Sequence, residues 1–475
     1  MSKRCVILAV LAVAVALSVG TVPLAGKGRS RRFLVISKSD SSVPSSVFQQ
    51  IQRAGATVRR NLSTMGLVAV ASDDPSFAAK VPDALAVAPD LRVNAPRPLV
   101  HVGPSLASVA GRVPGPPHTN DDDFFLDLQW GITAVDAQNA WHQGRRGQRA
   151  IIAVLDEGVD ATHPDLAPNV RADLSTSFAE DCTGQIENWQ PEPGFYFNHG
   201  THVAGIAAAA DNAFGVIGVA PRAKIMAVDV LSRCLGFGQD SWVLDGMRYA
   251  ADHGADVINM SLGGVLNIHG ACDDSGECYT AADVRNLTLA YAYAARYARA
   301  RGATVIASSG NEAVNFDREP DLIHLPSDAP GILSISAVGP VGWGIHPHTN
   351  LYVKASYSNF GKGRIAFAAP GGTENLSSKD QSSVCTVADV EAQCFVFDWV
   401  YSTIPGGYAW ATGTSMAVPH VSGVAAQYIG AAGGALSPPL VEALLKKLAN
   451  RPKHKHVDPF YGFGVVDATP ADKPY

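Results

Sequence analysis

Three short runs hold a carboxylate, an imidazole and a hydroxyl in settings where each could take part in nucleophilic chemistry. The run Ile151-Ile-Ala-Val-Leu-Asp-Glu-Gly158 is apolar, ends in Asp156 and carries a glycine that lets the chain turn away. Functional groups in α/β sheets gather at the carboxyl ends of strands. An Asp after a strand is also a common helix cap or turn former. Asn198-His-Gly-Thr-His-Val-Ala-Gly205 reads as the start of a tightly packed helix, with His199 at its N-terminal end in a cleft and His202, one turn on, internal and hydrogen-bonded. No Glu or further His stands at zinc-site spacing from that pair. Ala411-Thr-Gly-Thr-Ser-Met-Ala-Val-Pro-His420 is a glycine-containing turn leading into a helix whose first turn carries Ser415. Unpaired backbone N–H groups at such a helix start can hold a developing negative charge. A serine there is ordinarily an N-cap, a reading the surrounding run argues against.

Together these residues resemble the subtilisin-like serine peptidases, over roughly Leu128 to Ala468 with insertions. The order Asp, His, Ser is that family's, and the runs around His199 and Ser415 are highly specific to it. The resemblance implies that Ser415 attacks a peptide carbonyl. His199 then takes the hydroxyl proton and returns it to the leaving amine, while Asp156 holds the imidazole. It implies that Asn311, in Ala307-Ser-Ser-Gly-Asn-Glu312, meets the oxyanion together with the Ser415 N–H; alone, Asn311 reads as a turn residue. It also implies that Ser261, Leu262 and Gly263 pair with an extended substrate and wall its primary pocket. Gly236 and Gly238 match the opposite edge strand, and Ser308 to Gly310 form another wall, with the pocket floor near His324. A peptide between two edges binds through main-chain hydrogen bonds; plain glycine turns are the alternative.

A calcium site follows from the same resemblance. Asp165, in His163-Pro-Asp-Leu166, stands at the family position. The loop Ala210-Asp-Asn-Ala-Phe-Gly-Val216 would add the Asn212 side chain and the carbonyls of Ala210, Phe214 and Val216. Oxygen donors suit Ca²⁺. An N-terminal ligand falls at Leu126, next to Asp127, and a plain Asp-Asn turn is the alternative. One departure stands beside the triad: Glu157 replaces the smaller residue usual there. A larger anion either raises the imidazole pKa or points outward, and a modest effect is expected. Insertions at Val265–Asp283 and Gly371–Trp410 have no family match.

Elements able to position these groups are legible as apolar, β-branched runs at Ala150–Leu155, Lys224–Val230, Ala255–Met260 and Thr304–Ser308. They read as strands buried on both faces, separated by helical stretches. The expected fold for residues 124–475 is α/β, a parallel sheet flanked by helices on both faces. Ahead of it, residues 33–93 read as a small α+β unit. Phe33–Ile36, Leu67–Val70 and Leu85–Val87 are strand candidates. Val43–Ala54 has helical spacing, and Pro75–Lys80 could start a short helix. This unit resembles inhibitory pro-segments, which implies a ferredoxin-like pro-domain over residues 27–97. Residues 94–120, rich in Pro, Gly and small residues, read as a linker. Residues 98–123 would hold the maturation region, with cleavage expected between Pro114 and Phe124.

Composition agrees with a globular, exported chain: 47% of residues are hydrophobic and 17% charged. Lys3 and Arg4 followed by an uncharged run to Gly26 fit a secretory signal peptide, an uncleaved anchor being the alternative. Beyond Cys5 the six cysteines suit disulfides in an oxidising compartment, or else are buried thiols. Proximity pairs Cys272 with Cys278 and Cys385 with Cys394, leaving Cys182 for Cys234. A net charge of −6 suggests no nucleic-acid partner, and residues 27–97 carry +6 against the acidic remainder. The expected partners are protein substrates and the chain's own pro-segment, with no membrane after signal cleavage and a monomeric state. A catalytically dead binding protein of the same fold is the rival reading.

Overall fold

The apolar runs are strands, and their β-branched content explains why both faces of each can be buried. A computed structural model describes residues 31–95, 97–110, 123–272, 278–376, 382–450 and 457–469. The N-terminal apolar segment and residues 114–122 of the expected maturation region lie outside the described residues. Five parallel strands form the centre of the main sheet in the order Leu333–Gly339, Thr304–Ser308, Val257–Met260, Ile151–Asp156, Lys224–Asp229. Phe367–Pro370 joins in parallel beside Leu333–Gly339. From Ile151–Asp156 the next strand in sequence lies on one side and the one after it on the other. Asp156 therefore ends its strand at a topological switch point, where a crevice opens.

Helices cover both faces. His199–Ala208 and Thr414–Ala431 pack together on one face and are almost wholly buried. Small residues permit this: a Cβ on Gly205 would collide with Ser402 and Thr403, and one on Gly423 would stand 2.5 Å from Val219 Cβ. Pro419 lies inside the second helix and cannot donate to the carbonyl four residues back. That carbonyl belongs to Ser415, and it accepts instead from Ser261 Oγ at 2.8 Å. Asp240–Asp252 and Ala281–Ala300 pack together elsewhere, sharing a core with the other face of the sheet. The longer helix opens on a capping box formed by Thr280 and Asp283.

The N-terminal unit is an antiparallel sheet in the order Thr57–Leu62, Leu67–Ser72, Arg31–Ile36, Ala86–Pro89. Two-residue alternation assigns its faces. Val35, Val68 and Val70 meet Val47 and Ile51 of the helix Ser45–Arg53. Leu34, Ile36, Leu67 and Ala69 join the core of Trp242 and Tyr291 on the helices Asp240–Asp252 and Ala281–Ala300. Pro75–Lys80 forms only a 3₁₀ turn, at Phe77–Lys80. The largely exposed strand Thr57–Leu62 has no apolar pattern to announce it.

The stretch read as a linker contains regular structure, which corrects that reading. Val100–Ser105 is a strand and Leu106–Val109 a helical turn, following the short strand Arg92–Asn94. The two strands take their pairing from edges far away in sequence, Phe237–Gln239 and Gly407–Ala411, so local periodicity does not reveal them. The disulfides are Cys182–Cys234, Cys272–Cys278 and Cys385–Cys394, the pairs that proximity suggested. Among the described residues no helix is long and apolar enough to cross a membrane.

Candidate active site

Asn198 caps the helix that starts at His199, its side chain accepting the Thr201 N–H at 2.9 Å. The next position must be glycine, since a Cβ on Gly200 would collide with the Gly158 carbonyl. This close docking sets the imidazole on the end of the Asp156 strand. His199 Nδ1 lies 2.9 Å from both Asp156 carboxylate oxygens. Burial acts to lower the imidazole pKa. The charge and hydrogen bond of Asp156, with Glu157 adding to them, hold it above its ordinary value. His199 Nε2 is buried and has no hydrogen-bond partner among the described residues. Ser415 Oγ donates to the Ser261 carbonyl at 3.2 Å. His202 is internal, with Nε2 3.0 Å from the Ala409 carbonyl, and burial lowers its pKa to about 3.

Asn311 Oδ1 accepts from both the N–H and the hydroxyl of Thr414, each at 2.8 Å. Its Nδ2 is left for another partner. A point one Cβ bond out from Gly413 lies 3.5 Å from Asn311 Nδ2 and 3.6 Å from Ser415 N. Two N–H donors thus flank one small space beside Ser415. Gly413 has φ +147°, which L side chains rarely adopt.

Glu157 points inward. Its Oε1 accepts the His199 N–H at 2.5 Å and the Asn198 amide at 3.1 Å. Burial, then the charge of Asp156, push its pKa up to about 7. Arg233 donates to the Glu157 carbonyl at 2.6 Å and pairs with Glu187 at 3.2 Å.

A cleft of 790 Å³ is lined by Gly236, Leu262, Gly263, Ser308, Gly310, Asn311 and Ser415. Ser261 lies beneath it, fully buried. Gly238 faces the Val230 carbonyl, with which a Cβ would collide, and its backbone pairs with Val93. The chain's own residues Asn94, Ala95 and Arg97 also line the cleft. Arg92–Asn94 runs antiparallel to Phe237–Gln239, and on the far side the Leu99 carbonyl accepts the Thr412 N–H at 3.1 Å. With the chain laid between these edges, His199 and Ser415 are each only 2% exposed.

The expected calcium residues also meet. Asp165 Oδ2 accepts the Val216 N–H at 2.9 Å and the Tyr408 hydroxyl at 3.1 Å. Asp165 Oδ1 is buried with no hydrogen-bond partner among the described residues, and burial pushes the carboxyl up to about 7. Asn212 Oδ1 accepts the Phe214 N–H. Ala210 donates to the Asp165 carbonyl at 2.7 Å. The N-terminal carboxylate that meets this loop is Asp123, three residues before the expected Leu126. Its Oδ1 accepts from the backbone of Asn212 and Phe214 at 3.4 and 3.2 Å. The acidic run at 121–123 was the available signal.

Comparisons with known proteins show the family and the fold. The subtilase family model matches residues 147–464. Thermitase of Thermoactinomyces vulgaris is 34% identical over 311 residues, covering 65% of this chain and 84% of that one. Subtilisin E of Bacillus subtilis (strain 168) is 32% identical over 305 residues, covering 64% and 61%. The epidermin leader peptide processing serine protease of Staphylococcus aureus shares the fold, with a TM-score of 0.68 and 19% identity over 93% of this chain and 97% of that one. Fold and relatives together define a serine endopeptidase built on an α/β sheet. The chain belongs to the subtilase family.

Proposed function

We propose that this is a secreted endopeptidase made as a self-processed precursor, with Asp156, His199 and Ser415 as its triad. The observation that carries the reading is His199, fixed through Nδ1 on Asp156 with Nε2 unpartnered among the described residues, together with Ser415 lining a cleft that the chain's own Asn94, Ala95 and Arg97 also line. For reaction, the Ser415 hydroxyl leaves the Ser261 carbonyl and gives its proton to His199 Nε2 as Oγ bonds to the substrate carbonyl carbon. The carbonyl oxygen becomes an oxyanion between Asn311 Nδ2 and the Ser415 N–H. The imidazolium, stabilised by Asp156, protonates the leaving amine; water then repeats the sequence on the acyl ester.

Residues 27–97 act as the pro-segment; its described part docks on the helices Asp240–Asp252 and Ala281–Ala300, and Asn94, Ala95 and Arg97 line the cleft. The three disulfides and the N-terminal apolar run support export. Asp165, Asn212, the carbonyls of Ala210, Phe214 and Val216, and Asp123 would hold a structural Ca²⁺. The partnerless Asp165 oxygen and the all-oxygen donor set fit it. Bound calcium would supply charge to a buried carboxylate and take no part in bond cleavage.

The test is expression of the full chain as wild type and Ser415→Ala, with N-terminal sequencing of the exported product. Wild type should lose the pro-segment and hydrolyse a peptide library, and Ser415→Ala should do neither. A wild-type product starting only near residue 27 would sink the precursor reading. Equal hydrolysis by both would defeat the triad.

A further inference from the structure

The primary pocket lies between two stretches of backbone, Leu262–Gly264 and Ser308–Asn311, tied together by Ser308 Oγ donating to the Leu262 carbonyl at 3.3 Å. Each wall has a glycine with positive φ, Gly263 at +145° and Gly310 at +97°. The side chain of His324 stands between them. A Cβ on Gly263 would lie 2.5 Å from His324 Cε1, and one on Gly310 would lie 2.7 Å from Cδ2. Both walls must therefore be glycine for the ring to fit. The imidazole is 1% exposed and lines the cleft.

It is also locked. His324 Nδ1 lies 2.9 Å from Ser327 Oγ, and its backbone N–H donates to Asp328 Oδ2 at 3.0 Å. Arg364 fixes that carboxylate at 2.9 Å. Burial lowers the imidazole pKa against the opposing charges of Glu312 and Asp328. Glu312 stands at the same pocket, its Oε2 2.5 Å from Asn359 Nδ2 and 2.5 Å from the point a Cβ on Gly310 would occupy.

We infer that His324 plugs the inner end of the primary pocket and restricts the enzyme to cleavage after short, uncharged residues: Gly, Ala or Ser. An aromatic or long side chain needs the space the ring fills. A carboxylate would meet Glu312. This inference rests on the peptidase reading above and names its substrate class.

The processed wild-type enzyme, His324→Gly and His324→Ala are assayed on peptides differing only at the residue before the scissile bond. Wild type should prefer Ala over Phe by roughly 100-fold in kcat/KM, and His324→Gly should raise the rate after Phe about tenfold or more. Wild type that cuts after Phe or Leu as well as after Ala overturns the proposal, whatever the fate of the variants. If the variants do not fold, the wild-type profile alone decides. Wild type that cleaves no peptide, as Ser415→Ala should behave, would fail the peptidase reading instead of the pocket assignment.

Discussion

Asp156 and Glu157 are neighbours in the chain, yet they grip different parts of the same histidine. Asp156 holds the ring nitrogen, and Glu157 holds the backbone N–H. The second contact places a buried carboxyl at the start of a helix, where the unpaired N–H groups favour negative charge. Burial opposes that charge and leaves Glu157 titrating at about 7. Once ionised, it stabilises the imidazolium. In the proposed mechanism His199 must be neutral to act as base, so activity should fall as pH drops through its raised pKa. Glu157→Gln removes one of the charges that raise it, and the acid limb of kcat/KM against pH should move to lower pH. Above that limb, Glu157→Ser should stay within about tenfold of wild type, a loss of under roughly 1.4 kcal/mol in transition-state stabilisation. An unmoved limb would show that Glu157 acts on position alone. On the proposed mechanism the Asn311 amide meets charge that exists only in the transition state, so Asn311→Ala should lower kcat by roughly 10²–10³ with little change in KM.

At the scale of elements, local pattern and long-range pairing part company. The central strands were legible because burial on both faces demands unbroken apolar runs. The starts of the His199 and Ser415 helices were legible because close packing demands small residues in fixed order. The strands Arg92–Asn94 and Val100–Ser105 were not, since each is made by an edge more than a hundred residues away. Asp123 escaped for the same reason: only folding brings it to the loop of Asn212 and Phe214. That loop carries its own prediction. Chelation with EGTA should lower Tm, and Asp165→Asn should lower Tm in calcium while abolishing the response to chelator. A cation that binds only the folded state stabilises by mass action, roughly 2.7 kcal/mol at a hundredfold excess over Kd. An Asp165→Asn variant that still loses Tm on chelation would place any calcium elsewhere.

Across the whole molecule, a basic N-terminal unit sits on an acidic remainder, and the magnitudes decide what that charge does. Exposed charges are screened over about 8 Å at physiological salt, so the overall asymmetry speeds encounter more than it tightens the docked state. Affinity resides in the buried contacts. Arg60 is 11% exposed; it pairs with Asp245 at 3.2 Å and donates to the Phe178 carbonyl at 2.5 Å. Asp90, fully buried, caps the helix Asp240–Asp252 by accepting the Ser241 N–H and hydroxyl at 2.8 and 2.6 Å. Arg32 and Arg59 share Glu180 but stand 32% and 45% exposed, so their pairs count for less. In the Ser415→Ala precursor, nicked between the two units, the pro-segment should therefore stay bound through size-exclusion chromatography. Arg60→Ala removes a buried ion pair and the bond to the Phe178 carbonyl, while Asp245 keeps Arg248 at 2.7 Å; it should weaken that association by roughly 10–10²-fold, whereas Arg59→Ala should change it by less than about threefold. Raising salt should slow rebinding in all three and leave their order unchanged. If Arg59→Ala released the pro-segment as readily as Arg60→Ala, surface charge would be what holds the two units together.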